Sequence, residues 1–319
     1  MKWIEAVKDG LLCGRRGILG AGLFYLEALL LGSLALAPLA GGLHRVLDGA
    51  PTAGPIAGGG GIDLLLETVI NQPGMWAAGL GNVGTAFILH LVLALVLTAG
   101  VTGLMAQNSE GSAWRSLWKN AATLFFPFAG LLLLNLLLLV AVGILPSLAI
   151  MGLGKAFEDS TSPVAFWGMI GGELFVALLL LAVFKGSLGF TQARRALNGG
   201  SEGLGRCFLK GTGFSFRKFV PSLGFTVLFL ALRMATFSGL YWVVAPGYGT
   251  AGKAFLSALL LQLAFAAQAY IRTAEITAQV SYLRSWGGGV AEGAVAPTKP
   301  TEDVPPATME PAPAVPSAG

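Results

Sequence analysis

The segment LLLLNLLLLVAVGIL, residues 131–145, decides the class of fold. Polar and apolar residues do not alternate in it, so it does not fit the strands of a membrane β-barrel. It lies inside an apolar block, residues 122–150, which is longer than the roughly 20 residues that an α-helix needs to cross a bilayer. We therefore predict a transmembrane helix, because a helix satisfies its own backbone hydrogen bonds where lipid offers no partner.

The composition of the whole chain agrees with this prediction. Of its 319 residues, 55% are hydrophobic and only 11% are charged, with a mean hydropathy of +0.73; soluble domains carry about 25% charged residues. Six apolar blocks are long enough to span a membrane: residues 18–40, 79–106, 122–150, 164–190, 219–244 and 253–285. The sequence thus predicts an all-α polytopic membrane protein with six transmembrane helices in one membrane domain, residues 1–286.

The chain repeats one plan. The stretches beginning at Ser109 and Ser201 both start with Ser-Glu-Gly, pass through basic and aromatic residues, and lead into a long apolar block. The N-terminal residues follow the same plan less closely. We predict three repeats, residues 3–107, 109–198 and 201–286, each a cytoplasmic amphipathic segment followed by a hairpin of two spans. Alternatively, the likeness reflects only the preference of cytoplasmic loops for basic and aromatic residues.

Basic residues predict the orientation, because short loops rich in Lys and Arg stay in the cytoplasm. Thirteen of the 20 basic residues fall on one side: Lys2, Lys8, Arg15, Arg16, Arg115, Lys119, Arg194, Arg195, Arg206, Lys210, Arg217, Lys218 and Arg284. The other side has Arg45, Lys155 and Lys253. We expect a multi-pass protein of the inner (cytoplasmic) membrane with both termini cytoplasmic. The net charge of +4 is accounted for by these loops, so no nucleic-acid partner is predicted.

The character of the sequence changes after residue 286. Residues 287–319 are rich in Pro and Ala and contain no apolar block, which predicts a disordered cytoplasmic tail. Cys13 and Cys207 both fall on the reducing side, so we expect no disulfide. With two cysteines, two histidines and no close spacing among them, the sequence predicts no metal site and no other cofactor.

Motifs for catalysis are missing from their proper contexts. GLGNVG, residues 79–84, has the spacing of a dinucleotide loop, but it opens an apolar helix instead of following a strand. His90 in the second span could serve an intramembrane serine, but we expect it to hydrogen-bond to a neighbouring helix. The sequence therefore predicts a protein that is not an enzyme.

Ionisable residues inside the predicted spans are the remaining chemical signal. They are Glu27, Glu173, Lys185, Arg233, Arg272 and Glu275, accompanied by Asn135, Gln262 and Gln268. Each ion at mid-depth costs about 2.5 to 3.5 kcal/mol on insertion scales, so such residues need partners or a purpose. Lys185 is set aside because its long side chain can reach the inner surface, and Glu173 lies close to the outer side.

Depth along each span predicts which of these residues meet. A rise of 1.5 Å per residue puts Glu27 about 14 Å and Glu275 about 15 Å from the cytoplasmic ends, with Arg233 and Arg272 near 20 Å. We predict a single polar network of these four residues, bordered by Asn135, which takes the place of Glu27 in the second repeat. The alternative is a local Arg272–Glu275 pair, which leaves Glu27 and Arg233 to pair between the first and fifth spans.

Two segments give the chain a family likeness. The basic lead-in CFLKGTGFSFRKFVP, residues 207–221, and the ending AQVSYLRSW, residues 278–286, together with the six helices in three hairpins, resemble two bacterial inner-membrane families. These are the YciC-like proteins and the membrane domain of some glycerophosphodiester phosphodiesterases. The resemblance implies a polytopic inner-membrane domain connected with lipid or envelope maintenance, and it carries over no catalytic residue.

Two functions follow from the sequence. The first is a non-enzymatic membrane module that organises or regulates other membrane proteins, favoured by the surface segments and the tail. The alternative is a small transporter or channel, favoured by the intramembrane charges. A polar cavity that reaches mid-membrane distinguishes the two. The bilayer itself is the one certain partner, and the sequence does not specify the oligomeric state.

Overall fold

The structure is a computed structural model that describes residues 2–47, 73–107, 112–156, 163–199, 201–244 and 251–287. The described residues form eight α-helices and no strands: α1 (Lys2–Leu11), α2 (Gly14–Leu47), α3 (Pro73–Ala106), α4 (Ala113–Ala156), α5 (Pro163–Leu197), α6 (Leu204–Arg217), α7 (Phe219–Val244) and α8 (Ala251–Ser285). All of them lie within one compact unit, Met1–Gly289. The predicted tail, beyond its first residue Gly287, lies outside the described residues.

Five of the helices contain a segment long and apolar enough to cross a membrane. These segments are Gly14–Ala35, Gly79–Ala106, Ala113–Ile144, Ile170–Leu197 and Phe219–Gly239. The sequence predicts a sixth span at residues 253–285, which is α8. That helix is not among the five; its described residues include the polar Gln262, Gln268 and Arg272. The chain therefore has the helices of a multi-pass membrane protein.

The helix α8 lies at the centre and packs against α1, α2, α3, α5 and α7. Its neighbours bury Glu275 and Gln279 and partly cover Gln268 and Arg272, whereas Gln262 is exposed. The consecutive helices α2 and α3 pack antiparallel. Gly20 of α2 lies beside Val101 of α3, and further along Glu27 lies beside His90. The helices α4 and α5, and likewise α7 and α8, also pack against each other.

Buried residues are concentrated at one end of the bundle, which carries α1 and α6 and is called the packed end below. Its core contains an aromatic cluster of Phe190, Phe225, Phe229 and Tyr282, with Trp3 of α1 packed against it. A second core joins α2, α3 and α8 through Phe24, Leu97, Val101, Leu104 and Ile276. These large side chains hold α8 in place at this end.

The opposite end, called the open end, has almost no core. Beyond Leu31 of α2, Asn135 of α4 and Phe229 of α7, every side chain that the structure describes is half-buried or exposed. The same is true of the described residues before Ala182 in α5 and before Ala264 in α8. Most of these exposed side chains are Leu, Phe, Ile and Val, as expected for surfaces in contact with lipid.

The amphipathic segments differ from the sequence prediction in one respect. The first and third are separate helices, α1 and α6, but the second, residues 113–121, forms the first turns of α4. No helix breaker separates it from the apolar block. Asn120 in this segment is buried and packs where Gly103 of α3 has no side chain. This segment is therefore part of the helix packing, while Trp114 and Trp118 remain exposed.

Candidate functional site

The carboxylate of Glu275 holds two cations from neighbouring helices. Lys185 of α5 places Nζ 2.8 Å from Oε1 and 2.9 Å from Oε2 of this carboxylate. Arg233 of α7 donates a hydrogen bond from Nη2 to Oε2 across 2.9 Å. The side chain of Glu275 is only 5% exposed, whereas those of Lys185 and Arg233 are 31% and 25% exposed. One buried acid thus connects α5, α7 and α8.

Arg272, one turn nearer the open end on α8, has no such partner. Its Nη2 donates to Oγ1 of Thr98 across 3.2 Å, and its guanidinium carbon lies 4.2 Å from the centre of the Phe24 ring. Among the described residues, no carboxylate lies within 4.0 Å of this guanidinium. A hydroxyl and an aromatic face stabilise a cation only in part. Arg272 therefore keeps donors available for another group.

The second buried acid, Glu27 of α2, lies against α3. Its Oε1 is 2.9 Å from Nδ1 of His90; the glutamate side chain is 3% exposed and the histidine side chain is 43% exposed. The acid is therefore reached through the histidine and not directly. Its position leaves Glu27 close to the charged site without contact with Arg233.

These residues line a cavity of about 380 Å³ between α3, α4, α5, α7 and α8. Its charged and titratable lining residues are His90, Lys185, Arg233, Arg272 and Glu275. This volume is within the roughly 300 to 1,000 Å³ typical of ligand pockets.

The remaining wall of the cavity is mixed. Ala94, Leu95, Leu132, Leu188 and Ile276 supply its apolar part. Thr98, Gly189, Gln192 and Gln279 supply the rest, on the side toward the packed end. Gly189 has a structural role here, because a Cβ at this position would overlap the amide of Gln279.

The charges around the cavity do not cancel. Three cations, Lys185, Arg233 and Arg272, line the cavity together with one acid, Glu275. A second acid, Glu27, lies behind the lining residue His90. Counted as formal charges, with histidine taken as neutral, these three cations exceed the two acids by one. In a region of low dielectric, an uncompensated charge is costly and attracts an ion of the opposite sign.

The structure distributes the five residues expected in one network over three places. Arg233, Arg272 and Glu275 line the cavity, and Glu27 lies behind His90. The alternative, in which Glu27 pairs with Arg233, is not what forms: Glu27 contacts His90, and Arg233 contacts Glu275. The helix α2 packs against α3 and α8. Asn135 is buried between α4 and α5, where its Nδ2 donates to the carbonyl of Leu131 across 2.9 Å, so it lies outside the cavity lining.

Lys185 and His90 are the site residues that sequence reasoning sets aside. The sequence places Lys185 within reach of the inner surface, yet it lies twelve residues before the end of α5, about 18 Å along the helix, and Glu275 lies about 15 Å from the end of α8. The similar depths of Lys185 and Glu275 are the feature of the sequence that could have predicted their contact. For His90, the feature is its place in the helix that follows the one with Glu27, because consecutive helices usually pack together.

A second polar cluster lies outside the spans, where α5 meets α6. Glu202 contacts Nε of Arg194 and Nζ of Lys210, each across 2.9 Å, and accepts a hydrogen bond from Asn198. Burial by itself raises the pKa of Glu202, but the hydrogen bonds and charges of Arg194 and Lys210 outweigh it, so the pKa is lowered. The nearby thiol of Cys207 is fully buried, and burial raises its pKa to about 11. This cluster anchors α6 to the bundle.

Within the part of the chain that the structure describes, no group of three or more His, Cys, Asp or Glu residues is arranged to hold a metal ion. The fold and the cavity together define the class: an all-helical, multi-pass membrane protein with an ionic cavity among its helices. Comparison of the chain with protein-family models, with curated proteins and with solved structures gave no match. The resemblance to the two inner-membrane families therefore stays a prediction.

Proposed function

We propose that the protein is a small transporter that binds an anion in the charged cavity and carries it across the membrane unchanged. The observation that supports this proposal is the set of three cations, Lys185, Arg233 and Arg272, facing Glu275 in a cavity of about 380 Å³. A module that only organises partners needs no cavity of this kind, and its helices can be packed with apolar residues throughout. The organising role expected from the sequence stays a prediction.

The energetics of Arg272 favour a ligand. A buried guanidinium at this depth is costly unless it is paired. Its direct contacts among the described residues are the Thr98 hydroxyl and the Phe24 ring, while the acids Glu27 and Glu275 act on it only from beyond 4.0 Å. A bound anion supplies a direct charged partner. Lys185 and Arg233 share the carboxylate of Glu275. Each therefore has N–H donors left that can bind the same anion.

In this proposal α8 is the sixth span, and the packed end faces the cytoplasm of an inner membrane with both termini on that side. Support comes from the basic residues of the packed end and from the antiparallel packing of α7 and α8. Topology reporters placed after residues 60, 158 and 249 should report the outside, and those after residues 110, 205 and 290 the inside. One reversed reporter contradicts this topology.

The three predicted repeats fit the same picture. The pairs α2 and α3, α4 and α5, and α7 and α8 each pack together, and α1, the first turns of α4, and α6 precede them in order. The repeats belong to the proposal. The second span of each repeat contributes a residue to the cavity lining, namely His90 in α3, Lys185 in α5 and Arg272 in α8, and Arg233 joins them from α7.

Uptake into proteoliposomes tests the proposed function. Radiolabelled methanesulfonate, sulfate and octanesulfonate serve as probes, because none of them has to be protonated to bind. We expect saturable uptake of at least one anion by the native protein and an approximately ten-fold or greater loss in Arg272→Gln. The control is Arg115→Gln, which removes an exposed cation of α4 and should behave as the native protein does. Equal uptake by native protein, Arg272→Gln and protein-free liposomes contradicts the proposal.

A further inference from the structure

We propose that the ligand of the cavity is a singly charged anionic amphiphile: its head binds at Arg272, and its apolar tail lies toward the open end. This inference rests on the proposed function and specifies the substrate class. Fatty-acid carboxylates and phosphodiester lipids with one net negative charge share this chemistry.

The formal charges around the cavity indicate the charge of the ligand's head group. Lys185, Arg233 and Arg272 face Glu275, and Glu27 lies behind His90, so the formal charges around the cavity sum to +1. One negative charge neutralises it, whereas a dianion such as sulfate leaves the buried site with an excess of the opposite sign. A zwitterionic or neutral head does not compensate it at all.

The geometry at Arg272 gives the head its contact point. One Nη2 donor is directed at Thr98, and the ring of Phe24 covers part of the guanidinium at 4.2 Å. Nη1 and the remaining N–H groups have no carboxylate within 4.0 Å among the residues described. A planar guanidinium binds carboxylate, sulfonate and phosphate oxygens through such paired donors.

The walls select the tail. Ala94 and Leu95 line the cavity on the open-end side of Thr98, the residue to which Arg272 donates, whereas Leu188 and Ile276 lie nearer the packed end. A small, strongly hydrated anion gains nothing from these side chains, whereas each methylene buried against them strengthens binding about four-fold.

The route of the tail follows from the uneven packing of the bundle. At the packed end the core of Phe190, Phe225, Phe229 and Tyr282 fills the space between helices. At the open end the described side chains are half-buried or exposed and mostly apolar. His90, on that side of the cavity, is 43% exposed. The head can therefore enter from the open end, and the tail can remain among the apolar helix surfaces.

Protection of a cysteine placed in the cavity tests this inference. Ala94 lines the cavity and its replacement by Cys adds a single heavy atom; Leu188→Cys is a second variant at another wall position. The native thiols give little background, because Cys13 and Cys207 are buried. The reagent is the negatively charged sulfonatoethyl methanethiosulfonate, and the trimethylammonium reagent of similar size shows the charge preference of the cavity. The competitors are methanesulfonate, sulfate, octanesulfonate, octanoate, a short-chain phosphatidylglycerol, octyltrimethylammonium and octyl glucoside.

The expected result is faster labelling by the anionic reagent and protection by octanesulfonate at a concentration at least about 50-fold below that of methanesulfonate, which corresponds to three buried methylenes. Comparing the protective concentrations of octanoate and phosphatidylglycerol shows whether a fatty-acid carboxylate or a phosphodiester lipid binds better. Arg272→Gln in the same background should raise the protective octanesulfonate concentration at least about ten-fold, and Arg115→Gln should leave it unchanged.

The other outcomes separate the two proposals. If methanesulfonate or sulfate protects as well as octanesulfonate, the cavity binds anions but the amphiphile inference is overturned. If octyl glucoside or octyltrimethylammonium protects as well, the head charge is irrelevant and the inference is again overturned. If both cysteine variants fold but no anion protects either of them, or neither is labelled, the anion-binding function itself is contradicted.

Discussion

Arg233 of α7 and Glu275 of α8 form a hydrogen-bonded ion pair across 2.9 Å, and the acid is almost fully buried. Because Lys185 also contacts this carboxylate, neutralising Glu275 leaves two cations without a partner. We expect Glu275→Gln to lower the free energy of unfolding by about 3 kcal/mol. Arg233→Gln should cost less, since Lys185 still compensates Glu275. Unfolding by increasing SDS in mixed micelles measures both changes.

The double variant checks that the loss comes from the pair. Arg233→Gln combined with Glu275→Gln should be more stable than the sum of the single losses predicts, by about 1 kcal/mol or more. The control is Glu5→Gln on the exposed surface of α1, which should have little effect. Losses that simply add would contradict the proposed coupling of Arg233 with Glu275.

Close packing of α1 on α8 gives a second prediction. A Cβ at Gly10 would lie 2.5 Å from the carbonyl oxygen of Ala274 and 2.8 Å from Cβ of Ala278. Gly10→Ala should therefore push α1 away and cost about 1 to 3 kcal/mol of unfolding free energy, with a changed fluorescence of Trp3, whose ring packs 5.7 Å from that of Phe225. Thermal unfolding in detergent measures the loss.

The matched control for Gly10→Ala is Gly22→Ala in α2. A Cβ at Gly22 meets no atom within 4 Å, and alanine favours a helix over glycine by roughly 1 kcal/mol. The control should be neutral or stabilising. If both variants behave alike, the contact of α1 with α8 is not as close as described.

The cluster at the α5–α6 junction predicts a dependence of stability on acid. The pKa of Glu202 is lowered in the folded protein by Arg194 and Lys210, against the effect of burial. A lowered pKa stabilises the folded state above the pKa of the unfolded carboxyl, and this contribution is lost as the pH falls below about 4. We expect Glu202→Gln to be less stable than the native protein at pH 7 and to differ from it less at pH 3. A difference that is the same at both pH values would contradict this role.

Sequence reasoning locates the charged layer but not its pairs, and the reason is physical. The depth of Arg233, Arg272 and Glu275 follows from counting residues along each helix at 1.5 Å per residue. The direction in which each side chain points depends on how the helices pack, and that depends on contacts such as Gly20 against Val101. Depth is therefore readable from one sequence, while the identity of the partner is not.

The helices, too, are predictable where they depend on the local sequence and not where they depend on packing. Apolar blocks of more than 20 residues predict helices, and five of them contain segments that could cross a membrane. The second amphipathic segment and its span form one continuous helix. The burial of Leu117 and Asn120 against α3 is a property of packing and not of the local pattern, so the sequence does not predict it. The prediction for Lys185 is wrong for the same reason: a lysine able to reach the surface has a better partner in Glu275.

The different partners of Glu27 and Arg233 give a prediction about their independence. Glu27 lies against His90, and Arg233 is paired with Glu275. The stability losses of Glu27→Gln and Arg233→Gln should therefore add to within about 0.5 kcal/mol in the double variant. Recovery of stability in the double variant would mean that the two side chains meet directly, as the sequence alone suggests.

The last prediction separates stability from ligand affinity at Glu27. Neutralising this buried acid removes one of the two formal negative charges around the cavity, so the formal net charge rises from +1 to +2 and we expect a monoanion to bind more strongly. Glu27→Gln should therefore be less stable than the native protein yet require an about three- to ten-fold lower octanesulfonate concentration to protect the introduced thiol in the Ala94→Cys background. The matched control is Glu173→Gln, which removes an exposed acid of α5 that does not line the cavity and should leave the protective concentration unchanged. Weaker protection in Glu27→Gln would show that the acid positions the site through His90 instead of limiting its positive charge.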